Sequence, residues 1–250
     1  PACTEEEIEP LVTCSNEYCN ETEDLVGCVL SFCGAEFDAL SDECKNCAAA
    51  NVGLGDVSSI ADSCLAGSST FAYDGHNGLA LLGSQPFEDM EMLELDSWLN
   101  KRVLLYARID GLHVGCTHLT ARLSVTDYGG DLGSYKDEQS AQIEQVLDFM
   151  SARAGDEPRL LLGDFNTGPE LSEVSAELPG NWSQLESDGW EDPNVNQVEP
   201  LCTWCASNSL TGGDSNQVID HILVQELEAD NAQRLFDQDQ SIATSDGELD

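Results

Sequence analysis

Eight of the chain's eleven cysteines fall within its first 64 residues, at Cys3, Cys14, Cys19, Cys28, Cys33, Cys44, Cys47 and Cys64. A reducing cytosol rarely tolerates thiols at that density, whereas an oxidising compartment turns them into crosslinks. The pattern therefore predicts a disulfide-stapled segment of a secreted protein, extracellular or periplasmic. Cys14/Cys19 and Cys28/Cys33 share one spacing and sit symmetrically about residues 23–24, as in an antiparallel hairpin bridged Cys14 to Cys33 and Cys19 to Cys28. Spacing alone fixes no connectivity. Cys44-x2-Cys47 and Cys202-x2-Cys205 together have the spacing of a four-cysteine zinc site, but the compartment favours disulfides. The odd total leaves one thiol over, and Cys116, inside an apolar run, is the expected free one. Residues 1–66 are read as a Cys-rich acidic subregion or insertion, and 67–250 as a second unit.

Charge narrows the range of partners. Asp and Glu number 48 against nine Lys and Arg, for a formal net charge of −39. Such a surface repels nucleic acid and anionic membranes at long range, although a local cationic site still attracts a phosphate. It also suits a salty medium, where screening confines self-repulsion to a Debye length of about 8 Å or less. With 41% hydrophobic residues the chain can bury a sizeable core, and no run of 18 apolar residues is present to cross a bilayer. It opens Pro1-Ala2-Cys3 with no basic or apolar leader, as expected where a targeting segment has been removed or lies outside this sequence. Asn20-Glu21-Thr22 and Asn181-Trp182-Ser183 match the glycosylation acceptor pattern.

From Phe71 onward the pattern alternates. Leu79–Gly83, Val103–Ala107, Leu112–Cys116, Leu160–Gly163 and Val218–Val224 are apolar runs of strand length. Between the third and fourth, Ala141, Ile143, Val146, Leu147 and Met150 recur at helical spacing over Tyr135–Ala154, and Gly155 supplies a stop. Strand, helix, strand in this order predicts a layered α/β fold. The acidic stretches Glu88–Asp96 and Glu226 onward read as solvated faces.

Three of the apolar runs end in polar groups. Val114-Gly115-Cys116-Thr117-His118 leaves an imidazole at a strand end, and Leu160-Leu161-Leu162-Gly163-Asp164-Phe165-Asn166 leaves a carboxylate and an amide. Ile219-Asp220-His221-Ile222 sets an acid among β-branched residues, where an unpaired charge is costly. Ligands collect at strand ends of layered α/β folds because loops converge there on a rigid sheet, so the three groups point to one site.

In this order Thr-His-Leu, Gly-Asp-Phe-Asn and Ile-Asp-His-Ile-Leu resemble the endonuclease/exonuclease/phosphatase superfamily, which includes deoxyribonucleases, sphingomyelinases and inositol phosphatases. The segment from Tyr73-Asp74-Gly75-His76-Asn77-Gly78-Leu79 is similar to that family's Asn-Gly-Leu strand, and Cys202-Thr203-Trp204 with Asn208 to its Thr-Trp segment. The likeness runs from about Phe71 to Asp250. It implies a four-layer α/β sandwich with two packed mixed β-sheets and a phosphoesterase using Mg²⁺ or another divalent cation such as Ca²⁺ or Mn²⁺. By resemblance, Asp164 activates the attacking water, Asn166 contacts the phosphate or the metal-bound water, and His118 hydrogen-bonds the phosphate or leaving oxygen. Asp220 orients a partner imidazole. Asp164 and Asn166 are the candidate metal ligands, and Asn77, Arg102, Trp204 and Asn208 the candidate substrate contacts. His221 is read as structural.

The family's N-terminal Asn, its Gln-Glu strand and its closing Ser-Asp-His have no counterpart here. The 250 residues are therefore expected to be the middle of a longer protein, or to be completed by another chain through strand addition or homo-oligomeric assembly. The leading functional expectation is a secreted metal-dependent phosphodiesterase. Groove-lining cations such as Lys101, Arg102 and Arg108 would suit nucleic acid, and exposed tryptophans among Trp98, Trp182, Trp190 and Trp204 a phospholipid. A non-catalytic structural or assembly protein that keeps the fold is the alternative. A weak multi-site Ca²⁺ binder is a third reading, which no Asp-x-Asp-x-Asp-Gly loop supports.

Overall fold

The paired cysteine motifs form a helical hairpin. In this computed structural model, which describes residues 2–20, 22, 25–51, 56–66, 78–98, 101–123, 128–195, 201–208, 215–229, 232, 242–244 and 247–249, helix α1 (Glu5–Tyr18) starts at a Thr4/Glu7 capping box. Its first turn carries Glu5, Glu6 and Glu7, where carboxylates complement the helix dipole. The chain returns through α2 (Leu25–Phe32), and Cys14–Cys33 and Cys19–Cys28 lock the two helices together as the symmetry of their spacing suggested. Helices α3 (Gly34–Asp38), α4 (Asp42–Ala50) and α5 (Val57–Ala66) follow, stapled by Cys3–Cys44 and Cys47–Cys64. The amides of Ala2 and Cys3 donate to the carbonyl of Cys64, so the segment closes on itself around Ile8, Leu11, Leu40, Val57 and Ile60. Cys202 and Cys205 form a disulfide, and Cys116 is the free thiol.

A five-stranded mixed sheet makes up the second half, in the order β1 (Asp89–Leu95), β2 (Arg102–Ile109), β3 (Leu112–His118), β4 (Arg159–Asp164), β5 (Asp220–Gln225). All neighbours are antiparallel except β3 and β4, which α6 (Tyr135–Ala154) connects. The helix begins where the Ser134 hydroxyl accepts the Asp137 amide and ends at Gly155 with φ 55°, the limits its periodicity predicted. Together with α7 (Pro179–Ser187) it covers one face, burying Leu104, Leu161 and Leu223 of the sheet under Ile143, Val146, Met150, Trp182 and Leu185. On the alternate positions Leu105, Cys116, Leu160 and Leu162 are half-buried and Ile222 is exposed. A separate antiparallel pair, β6 (Ile242–Thr244) and β7 (Gly247–Leu249), lies near the end of the chain. No described helix is long and apolar enough to cross a membrane.

The α/β class, the mixed sheet and the disulfide-stapled N-terminal segment are as expected, with two local corrections. Leu79–Gly83 is not a strand, and Leu82 is 94% exposed. The first strand is instead the acidic run Asp89–Leu95, read above as a solvated face. An edge strand needs only one backbone partner, so β1 pairs with β2 along its length while most of its side chains face water.

Candidate active site

The register of three adjacent strands aligns the three polar strand ends. His118 of β3 lies opposite Asp164 of β4, and Asp164 opposite Asp220 of β5, at the last pair of each ladder. Residues in register project to the same face, and His118 Nε2 lies 3.4 Å from Asp164 Oδ2. Gly163 makes this approach possible. It has φ 133°, and a Cβ there would lie 1.9 Å from the Thr117 carbonyl oxygen, so no other residue fits without moving β3. Beyond it the chain turns through Asn166 at φ 46°, whose amide N–H donates to Asp164 Oδ1 at 2.8 Å and whose side-chain amide donates to Leu119 O at 2.9 Å. Asp164 therefore keeps Oδ2 for the open side.

Electrostatics in the row are set mainly by burial. Partial burial, with the nearby Asp220 carboxylate adding to it, pushes Asp164 up to about 6 against the opposing hydrogen bond from Asn166 and the charges of Arg102 and His221. Burial, and then the positive charge of Arg102, pushes His118 down to about 4. Arg102 begins β2 and is itself lowered by desolvation, against the attraction of Asp164 and Glu138. Its Nε is buried and has no hydrogen-bond partner among the described residues. A guanidinium held beside the carboxylate row offsets its negative charge.

What holds this end of the sheet together was missed in the sequence. The N-terminal half of α6 turns Glu138, Gln139 and Gln142 inward, all nearly or fully buried. The Gln139 amide donates to Thr120 O at 2.7 Å and Asn166 O at 3.0 Å and accepts from Asn181, tying together the loops after β3 and β4. Gln142 donates to Asp96 O and accepts the Thr120 amide, and Glu138 accepts from Trp98 N, Thr120 Oγ1 and Tyr128 OH. The weak apolar periodicity of this half of the helix was the available signal. Asn181 is 1% exposed within the network, so its acceptor motif is structural in the folded protein, whereas Asn20 is exposed.

His221 is buried, as its structural reading implied. Its Nδ1 lies 2.6 Å from Asp192 Oδ2 and its Nε2 2.9 Å from Thr167 O, which braces the loop after β4 against β5. Thr203 Oγ1 accepts the amides of Ile219 and Asp220, which brings the Cys202–Cys205 segment and the 40% exposed Trp204 alongside β5. The other candidate tryptophans, Trp98, Trp182 and Trp190, are buried. Asn208 is exposed past that turn, with its backbone amide on Cys205 O, and Asn77 lies outside the described residues. Among the described residues no three His, Cys, Asp or Glu side chains converge as a metal site. Asp164 and Asp220 offer carboxylates from neighbouring strands, and Mg²⁺ commonly takes only one or two carboxylates while water and substrate phosphate fill the rest of its octahedral shell, so this pair suits the protein side of a magnesium site.

No family model and no curated protein sequence matches the chain. Several solved structures are similar to it. Sphingomyelinase C from Streptomyces griseocarneus shares 18% identity over 66% of this chain and 60% of its own, with a TM-score of 0.44. A β-hairpin deletion mutant of beta toxin from Staphylococcus aureus shares 17% over 56% and 49%, at 0.41. An endonuclease/exonuclease/phosphatase from Beutenbergia cavernae shares 20% over 56% and 38%, at 0.39. The chain thus spans between 38% and 60% of the length of these three proteins.

Proposed function

We propose that this chain belongs to a secreted phosphodiesterase whose reaction centre is the strand-end row His118–Asp164–Asp220, with Arg102 beside it. The observation that carries the reading is the register: three strands deliver an imidazole and two carboxylates to one row, and Asp164 has a free, partly desolvated oxygen facing His118. A carboxylate with its pKa raised to about 6 is ionised at neutral pH and basic enough to take a proton from water. In this reading Asp164 Oδ2 accepts that proton as the water oxygen bonds to phosphorus and the bond to the leaving alkoxide breaks. Neutral His118 donates a hydrogen bond to a phosphate oxygen, and Arg102 offsets the developing negative charge. Asp220 keeps Asp164 basic. Asn166 fixes the loop, and Trp204 flanks the β5 side as a substrate contact. The five disulfides support secretion into an oxidising compartment. Divalent-metal dependence belongs to this reading: Asp164 and Asp220 would hold the ion, which would offset the negative charge developing on the phosphoryl oxygens.

A second reading has one observation in its favour. The absence of a three-residue metal cluster among the described residues suits a non-catalytic assembly protein that keeps the sheet. Turnover of bis(p-nitrophenyl) phosphate with and without Mg²⁺, with a chelator control, separates the two. The phosphodiesterase reading expects chelator-sensitive hydrolysis that falls by at least about 10³-fold in Asp164→Ala. No turnover with any divalent metal, or full activity in that variant, overturns it.

A further inference from the structure

The hairpin of α1 and α2 leaves an aromatic pair in the open. Tyr18 lies one turn beyond Cys14 and Phe32 one turn beyond Cys28, so the Cys14–Cys33 and Cys19–Cys28 bridges set the two rings side by side. The rings are parallel to within 7° with centroids 6.1 Å apart, and the two residues are 56% and 64% exposed. A groove of about 590 Å³ opens beside them, lined by Glu6, Glu9, Thr13, Glu17, Tyr18 and Glu36 among others. A group that covers these rings needs an apolar face for the aromatic surface and hydrogen-bond donors for the carboxylates around it. A sugar ring has both.

An attachment point lies two residues on from Tyr18. Asn20 is exposed in the turn after α1, and Thr22, also exposed, completes the Asn-x-Thr acceptor pattern. Two trans peptide links hold the Tyr18 and Asn20 Cα atoms within about 7.6 Å of each other, which is within reach of the first sugar on the asparagine. We propose that Asn20 is an N-glycosylation site whose innermost sugar covers the Tyr18–Phe32 pair. The C–H face of that sugar packs on the phenol ring while its hydroxyls donate to Glu17 and Glu36, whose charges act on Tyr18. In the transfer, Asn20 Nδ2 bonds to the anomeric carbon of a lipid-diphosphate-linked oligosaccharide, the bond from that carbon to the diphosphate oxygen breaks, and the proton given up by the amide ends on the diphosphate.

Asn181-Trp182-Ser183 has the same pattern and the opposite surroundings. Asn181 lies within α7, and its buried Nδ2 donates to Lys136 O at 2.9 Å and Gln139 Oε1 at 3.0 Å. A sugar on that nitrogen replaces one of the two donated protons and finds no room among close-packed neighbours, so a chain modified there does not reach this fold. The folded protein therefore carries its glycan on Asn20 alone, in the Cys-rich segment.

The test is to secrete the full chain from a eukaryotic cell and map its peptides after treatment with peptide N-glycosidase, which turns a glycosylated Asn into Asp. Asn20 is expected to be converted and Asn181 to remain Asn, with the modification lost in Thr22→Ala and kept in Thr22→Ser. An unmodified Asn20, or a folded protein modified at Asn181, overturns the assignment. A second measurement addresses the ring. Releasing the glycan from the folded protein is expected to lower its melting temperature by about 4 °C, and to leave it nearly unchanged in Tyr18→Ala, where release creates the same new carboxylate but uncovers no phenol. An equal shift in both proteins overturns the contact between sugar and Tyr18. Glycosylation requires passage through a secretory compartment but no turnover, so a protein modified at Asn20 that hydrolyses nothing upholds the site and sinks only the phosphodiesterase reading.

Discussion

At the scale of single residues, His118 and Asp164 form a matched pair whose shifts cancel. The carboxyl raised from 3.8 to about 6 makes the folded state bind an extra proton, and its stabilising contribution is lost as pH rises through that range. The imidazole lowered from 6.5 to about 4 makes the folded state bind one fewer, and its contribution is lost as pH falls through that range. Between about pH 4 and 6 the folded pair holds one proton on Asp164, whereas the unfolded pair holds one on His118. The two proton counts agree, so metal-free stability is flat across this window. Asp164→Asn exposes the histidine alone, and stability then climbs with pH from about 4 to 6.5. His118→Asn exposes the carboxyl alone, and stability falls from about 3.8 to 6. Urea melts at a series of pH values in chelator check both slopes, and two flat profiles would show that neither group is shifted. Gly163 gives a second residue-scale prediction. Gly163→Ala is expected to cost about 2–3 kcal/mol or more in the same melts, because the added methyl meets a backbone carbonyl and the φ is strained.

The elements show why the sequence was readable in some places and opaque in others. Helix α6 was legible to the residue because a serine cap, a 3.6-residue repeat and a positive-φ glycine agree on its limits. Strands β2, β3 and β4 were legible because both of their faces are at least half-buried, which leaves apolar runs, and β5 because its apolar residues Ile222, Leu223 and Val224 are consecutive. That criterion fails for an edge strand, so β1 hid among its carboxylates while the apolar Leu79–Gly83 took its place. The site divided along the same line. His118, Asp164 and Asp220 stood out as polar groups ending apolar runs. The inward face of α6 was half read: the repeat found Ile143, Val146 and Met150 but not Glu138, Gln139 and Gln142, which face inward to satisfy loop backbone, not to bury carbon. Gln139→Leu is the corresponding test. It strands the carbonyls of Thr120 and Asn166 and is expected to cost about 2–3 kcal/mol. If the amide positions the row, kcat falls while KM hardly moves. Unchanged stability and turnover would mean that the loops hold themselves.

For the whole molecule, the architecture sets two differently stabilised regions side by side under one large charge. The Cys-rich helices have their own core, from Ala2 to Cys64, and the sheet with α6 and α7 has another. Ala49 against the Trp98–Tyr135 cluster is a contact between them. The helical core is small and depends on four crosslinks, which close loops of 41, 19, 9 and 17 residues. Loops of that size are each worth about 2–4 kcal/mol, more than so small a core has to spare. We propose on this basis that residues 1–66 and 67–250 are separate folding units. Calorimetry of the oxidised chain should then show two transitions, and a reductant should abolish the one belonging to the helices while the sheet melts nearly as before. A single transition that moves as a whole on reduction would mean one unit. Net charge acts on both regions alike. At −39 the folded chain repels itself, and the repulsion is relieved on unfolding. Added sodium chloride should therefore raise both transitions, most steeply below about 0.15 M, where the Debye length shrinks fastest through the spacing of surface charges. The two predictions are independent: salt raises both transitions, and reductant removes one of them without changing the net charge.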